Sequence, residues 1–250
     1  MKQTAMAESY ATSTAIRADR YLRFMRIRLR AVRAVIVDLD GTLVNTAPDF
    51  HVAVNRMCAE LDLAPWSLQG VTDCIGKGPD NLVREVLGAT FDAEQIATEF
   101  PAALASYQRH YAAINGSHAQ VYPGVVEGLE AMRDAGLLLA CVTNKPHALA
   151  TELLGKKALA PYFRYVYGGD SLPFKKPHAY PILRVCSDFA LLPDQAALIG
   201  DSSNDAKAAL AAGCVSLCVP YGYNHGKPIE SAGADLVVAD LHAAARLMLS

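Results

Sequence analysis

The sequence is poor in several things that would point to particular classes of protein. It has no apolar run near the ~20 residues that a membrane-spanning helix needs, so no membrane partner is expected. Charged residues make up 19% and hydrophobic ones 52%, the balance of a globular chain and not of a disordered one. Its six cysteines (Cys58, Cys74, Cys141, Cys186, Cys214, Cys218) are scattered, without the density of a disulfide scaffold. With no signal peptide ahead of them, they are expected to be reduced, buried thiols in a cytoplasmic protein. Cys214 and Cys218 share an expected strand without a nearby histidine, which favours packing over metal binding.

Charge is unevenly placed. Residues 1–33 carry Lys2 and seven arginines against Glu8 and Asp19, a net of +6, whereas the rest of the chain is acidic at −8. An acidic body argues against polyanion binding, and one basic arm is thin evidence for nucleic acid, so no nucleic-acid partner is expected. The arm's composition resembles an organelle transit peptide, or an upstream extension with Met25 as an alternative start. Residues 1–32 are expected to be disordered or loosely helical, without a catalytic role.

What the sequence does have is a set of apolar strands that end in polar groups. Ala34-Val35-Ile36-Val37 reads as a strand buried on both faces, and it runs into Asp38-Leu39-Asp40-Gly41-Thr42. Two carboxylates this close repel unless a cation or shared proton relieves them, although Asp and Gly are also ordinary turn residues. Leu137–Val142 is a second such strand, followed by Thr143-Asn144-Lys145-Pro146. Thr143 and Asn144 there could hold a phosphate, or Thr143 could simply cap the next helix. A third, Gln195–Ile199, leads into Gly200-Asp201 and, four residues on, Asp205. Between them, Lys176 is followed by a proline and could set an ammonium beside the carboxylates. Three carboxylates at one sheet edge suit a hard, oxygen-seeking cation such as Mg2+.

Between the first strand and the others, helical spacing dominates: Phe50, Val54, Met57, Cys58 and Leu61, then 80–87, then 93–114. Residues 49–118 are therefore expected to form a helical cap, inserted into an α/β core of residues 33–48 and 119–250. The core is expected to be a doubly wound, mainly parallel, Rossmann-like sheet. Inside the insertion, Gly76-Lys77-Gly78 precedes a helix. It is either a solvated loop or a place to hold the anionic tail of a substrate.

Asp38-Leu39-Asp40-Gly41-Thr42, Thr143, Lys176 and Gly200-Asp201-x-x-x-Asp205 resemble, in order, the four motifs of the haloacid-dehalogenase superfamily of phosphohydrolases. Thr143-Asn144-Lys145-Pro146, Lys176-Pro177-His178 and Tyr221-Gly222-Tyr223-Asn224 are further similar to the bacterial phosphoglycolate phosphatase family. The resemblance spans about residues 33–240. It implies that Asp38 is the nucleophile, Asp40 the general acid and base, and Thr143, Asn144 and Lys176 the phosphoryl clamp. It also implies Mg2+ on Asp38, Asp40 and Asp201, with Asp205 behind it on a metal-bound water or on Lys176. Gly76 and Lys77 would contact the substrate, a small anionic phosphate ester, with 2-phosphoglycolate first. A sugar phosphate, nucleotide or pyrophosphate hydrolase, or a phosphomutase, is the alternative; a homodimer and a monomer are equally compatible. Asn45 stands where relatives often have Asp, and Ala179 where Pro is frequent.

Overall fold

The structure, a computed structural model, describes residue 21 and residues 23–250. Most of the basic arm, residues 1–20 and 22, lies outside the described residues. Of the two conformations expected for the arm, disordered or loosely helical, its end takes the helical one: residues 23–30 form helix α1. Met25, Leu29 and Val32 recur at helical spacing and are buried in the main core at 1%, 2% and 6% exposure. The arginines between them face outward and fasten the helix. Arg28 donates to the Gly213 carbonyl at 3.0 Å and Arg30 to that of Ser250 at 3.1 Å.

Six strands form one parallel sheet: β1 (Ala34–Val37), β4 (Leu138–Val142), β5 (Tyr165–Tyr167), β6 (Ala196–Gly200), β7 (Val215–Cys218) and β8 (Leu236–Val237), in spatial order β5-β4-β1-β6-β7-β8. Both faces are covered, which is why β1 reads as an unbroken apolar run. Val35 and Val37 point into a core shared with α1, α6 (Val125–Asp134), α7 (His147–Lys156) and α10 (Leu241–Leu249). Ala34 and Ile36 point the other way, against α8 (Tyr180–Asp188) and α9 (Ser203–Ala212). The strand order reverses at β1, whose neighbours β4 and β6 come later in the chain. This switch point is where an open α/β sheet leaves a crevice outside its carboxyl ends.

Helices α2 (Ala47–Glu60), α3 (Leu68–Cys74), α4 (Pro79–Gly88) and α5 (Ala93–Ile114) surround a core of their own, built from residues such as Val54, Met57, Leu82, Val86, Tyr107 and Tyr111. Helix α3 is an addition to the sequence reading: a seven-residue helix burying only Val71 leaves almost no periodic signal. The chain enters and leaves this layer through a short antiparallel pair, β2 (Val44–Asn45) with β3 (Gln120–Val121). Val121 thus joins this pair and not the main sheet. Asp49 staples the two crossings together, accepting from the backbone N–H groups of Gly116 at 2.7 Å and His118 at 2.8 Å. Among the described residues no helix is long and apolar enough to cross a membrane.

Candidate active site

Three neighbouring strands deliver the expected residues to one edge. Val37 lies level with Cys141 and with Ile199, so the next residues, Asp38, Val142 and Gly200, stand side by side at the carboxyl edge of the sheet. Asp38 still donates its backbone N–H to the Ile199 carbonyl at 2.9 Å, and Thr143 donates its own to Tyr167 at 2.9 Å. Lys176 arrives from the loop before α8. Its Nζ lies 2.9 Å from Asp38 Oδ1, 2.6 Å from Asp205 Oδ1 and 2.6 Å from the Val142 carbonyl. All three donors of the ammonium are thereby matched. Asp205 is aimed by the start of α9, where its Oδ2 accepts from Ser202 Oγ at 2.7 Å and Ser202 N at 3.2 Å. Asp201 accepts from Thr42 Oγ1 at 3.0 Å and from the Tyr223 N–H at 2.7 Å. The glycines are spacers here. A Cβ on Gly41 (φ +87°) would stand 2.3 Å from Asp201 Oδ2, and one on Gly222 2.2 Å from Asp201 Cβ.

Asp38, Asp201 and Asp205 each bring a carboxylate oxygen within 4.8 Å of the others, and all three are buried. Burial pushes Asp38 up to about 7; Lys176 pulls against this, and Asp205 and Asp40 add to it. Burial also drives Asp201 well above the usual carboxylate range, helped by Asp205 and Asp38. For Lys176, burial works against the charge, but the carboxylates of Asp205 and Asp38 outweigh it and hold the ammonium above its ordinary value. One ammonium among three desolvated carboxylates leaves an excess of negative charge. An all-oxygen donor set in that condition fits a hard divalent cation.

Asp40 has a different partner. Lys145, 4% exposed, places Nζ 3.1 Å from Asp40 Oδ1 and hydrogen-bonds the Tyr111 hydroxyl. The same ammonium lies 4.8 Å from the centroid of the Phe50 ring and 4.4 Å from that of Tyr111. These groups belong to a cavity of about 280 Å³ between the strand ends and the helical layer. Asp38, Asp40, Thr143 and Lys145 line it from below, and Phe50, Gly78, Leu82 and Tyr111 from above.

Of the loop residues expected to meet substrate, Gly76 and Asn144 line the cavity and Lys77, which is exposed, does not. Its turn is a fastening: the Gly76 carbonyl accepts from Asn144 Nδ2 at 2.9 Å and Asn204 Nδ2 at 3.1 Å, and the Lys77 carbonyl from Lys175 Nζ at 2.9 Å. The Asn144 amide is accordingly occupied. It also donates to the Lys176 carbonyl at 2.9 Å and accepts the Lys176 N–H at 3.0 Å, so its amide sets the lysine while the residue itself lines the cavity. The sequence reading named Lys145 and Tyr223 only within stretches of resemblance, without a role, and did not single out Tyr111; Tyr223 stands at the crossing into the helical layer. The Tyr223 hydroxyl accepts from the N–H groups of Thr46 at 2.8 Å and Ala47 at 2.9 Å and donates to Asn45 Oδ1 at 3.1 Å. An amide at position 45 is thus a working acceptor. Ala179 immediately precedes α8, whose first turn already holds Pro181.

Comparison with known proteins places this geometry. The family model of the haloacid dehalogenase-like hydrolases matches residues 35–219. A phosphoglycolate phosphatase of Thiobacillus denitrificans is 45% identical over 217 residues, 87% of this chain and 96% of that protein. One from Nitrosospira multiformis is 43% identical over the same shares. Among solved structures, a predicted phosphoglycolate phosphatase from Haemophilus somnus superposes with a TM-score of 0.80 at 33% identity, covering 85% of this chain and 96% of that one. By sequence, by fold and by the order of its site residues along the chain, this protein belongs to the haloacid dehalogenase-like hydrolase family and is a phosphatase within it.

Proposed function

We propose that the protein hydrolyses a small anionic phosphate monoester, 2-phosphoglycolate first, to the alcohol and phosphate through an aspartyl-phosphate on Asp38. Lys176 and the Leu39 N–H, the latter at 2.7 Å, both bond Oδ1 of Asp38, which leaves Oδ2 as the attacking atom. As Oδ2 bonds to phosphorus, the bond from phosphorus to the ester oxygen breaks, and Asp40 gives that oxygen its proton. Asp40 then takes a proton from water, whose oxygen bonds to phosphorus and releases Asp38. Thr143 holds the phosphoryl oxygens, Lys176 acts on them through its charge, its three N–H groups being taken by Asp38, Asp205 and the Val142 carbonyl, and Asn144 acts through Lys176. Mg2+, held by Asp38, Asp201 and the backbone carbonyl of Asp40, with Asp205 behind it, would neutralise charge between nucleophile and phosphate. Residues 49–118 act as a cap that keeps bulk water from the strand ends.

The observation that carries this reading is the meeting of Asp38, Lys176, Asp201 and Asp205 where three adjacent strands end. Size supports the substrate class. A cavity of about 280 Å³ falls at or below the small end of ligand sites, roughly 300–1,000 Å³, which suits a short ester better than a nucleotide. The relatives' names point to the same ester. The test is phosphate release from 2-phosphoglycolate, glucose phosphate, a nucleotide and pyrophosphate, with magnesium and with chelator. Highest kcat/KM on 2-phosphoglycolate, abolished by chelator, is expected. Good turnover of sugar phosphates without 2-phosphoglycolate would overturn the substrate, and no turnover of any ester would overturn the mechanism.

A further inference from the structure

Lys145 is buried, charged and unaccounted for by the hydrolytic steps. It is also the one basic side chain among the described residues that line the cavity. Thr143, two residues earlier, belongs to the phosphoryl end, but Lys145 Nζ is 3.1 Å from Asp40 Oδ1. Asp40 protonates the ester oxygen under the proposed mechanism, so the atoms just beyond that oxygen lie toward Lys145. We propose that Lys145 and the Tyr111 hydroxyl form the subsite for a carboxylate carried on the leaving group, and that this pair sets a preference for acidic esters. The inference rests on the phosphatase reading above and specifies how the substrate is chosen.

The donors are present. An ammonium has three N–H groups, and Asp40 and Tyr111 accept two of them, leaving one for a ligand. Tyr111 accepts from Lys145, so its own O–H remains to be donated, and burial keeps the phenol protonated. The rings of Phe50 and Tyr111 pack against the ammonium and exclude water from it. A dry cation of this kind binds a carboxylate through charge-assisted bonds, whereas a methyl group in the same place leaves the donors unmet. Because Tyr111 and Phe50 come from α5 and α2 while Lys145 follows β4, the subsite is complete only when the helical layer sits over the strands.

The probes are phosphonopropionate, in which a methylene replaces the ester oxygen of phosphoglycolate, and propylphosphonate, which has a methyl group in place of the carboxylate. Neither can be hydrolysed. Calorimetric titration of the full, magnesium-loaded chain is expected to show phosphonopropionate binding about ten- to hundredfold more tightly. In Lys145→Met that preference is expected to fall to within about threefold, through loss of phosphonopropionate affinity alone. Tyr111→Phe, which keeps the ammonium, is expected to reduce the preference by about three- to tenfold and serves if Lys145→Met folds poorly. An unchanged preference in the two variants, an equal loss for both probes, or no preference in the wild type would overturn the inference. Failure of the substrate assignment is separate: it is read from wild-type phosphate release on phosphoglycolate, which these titrations do not use.

Discussion

Replacing Lys176 with methionine removes the ammonium that three carboxylates share while keeping most of the side chain's volume. The lysine is 3% exposed, and its Nζ contacts Asp38, Asp205 and the Val142 carbonyl at 2.9, 2.6 and 2.6 Å. Breaking a buried ion pair by deleting one partner costs about 3–5 kcal/mol, chiefly because the other charge is left uncompensated. Here two carboxylates lose their cation and a third, on Asp201, lies within 4.8 Å of both, so the upper part of that range is expected in chelator at pH 8. The cost is expected to shrink at pH 5. Burial raises Asp38 from 3.8 to about 7 even with Lys176 present, so at pH 5 it takes up a proton and sheds its charge. Urea unfolding followed by circular dichroism reads this as a lower midpoint with an unchanged slope. Magnesium is expected to return part of the loss at pH 8, since a divalent ion supplies the missing charge. A loss below about 1 kcal/mol at pH 8 in chelator would refute the claim that this ammonium holds the cluster together.

The other expectations follow from single features of the same structure. A carboxyl whose folded pKa is raised, as for Asp38, contributes stability that is complete below about 4 and is lost as pH rises through about 7. The metal-free wild type should therefore show a urea midpoint that falls between pH 5 and pH 8, with magnesium flattening the fall; a midpoint that rises in chelator would contradict the burial of that charge. Leu29→Ala should cost about 2–5 kcal/mol, because the side chain is 2% exposed within the main core. A change under about 0.5 kcal/mol would mean that helix α1 does not belong to the folded unit.

How far the sequence carried depended on how local each signal was. Asp38, Thr143 and Asp201 each follow an apolar strand directly, so strand and acid or hydroxyl appear in one short window, and the parallel order of β4, β1 and β6 does the rest. Lys145 gave no such sign. In the sequence it is a lysine before a proline, and its burial is created by Phe50 and Tyr111 from helices far away in the chain. Lys77 failed for the opposite reason: a glycine-flanked lysine at a helix start has the local look of an anion site, but the turn's carbonyls are held by Asn144, Asn204 and Lys175 while its side chain stays outside. In the arginine-rich arm a helix was legible only as an alternative to disorder, because composition drew attention to charge. The three apolar residues at positions 25, 29 and 32 were enough to bury one face.

The central claim is that Asp38 becomes phosphorylated. Mixing the protein with 2-phosphoglycolate and magnesium, quenching in acid within the first turnover, and mapping peptides by mass spectrometry tests it directly. The account predicts one added phosphoryl group on the peptide that contains residue 38, labile to hydroxylamine and missing from Asp38→Asn, which should also release no phosphate. Phosphate release from Asp38→Asn at the wild-type rate, or a phosphoryl group found on another residue, would contradict it.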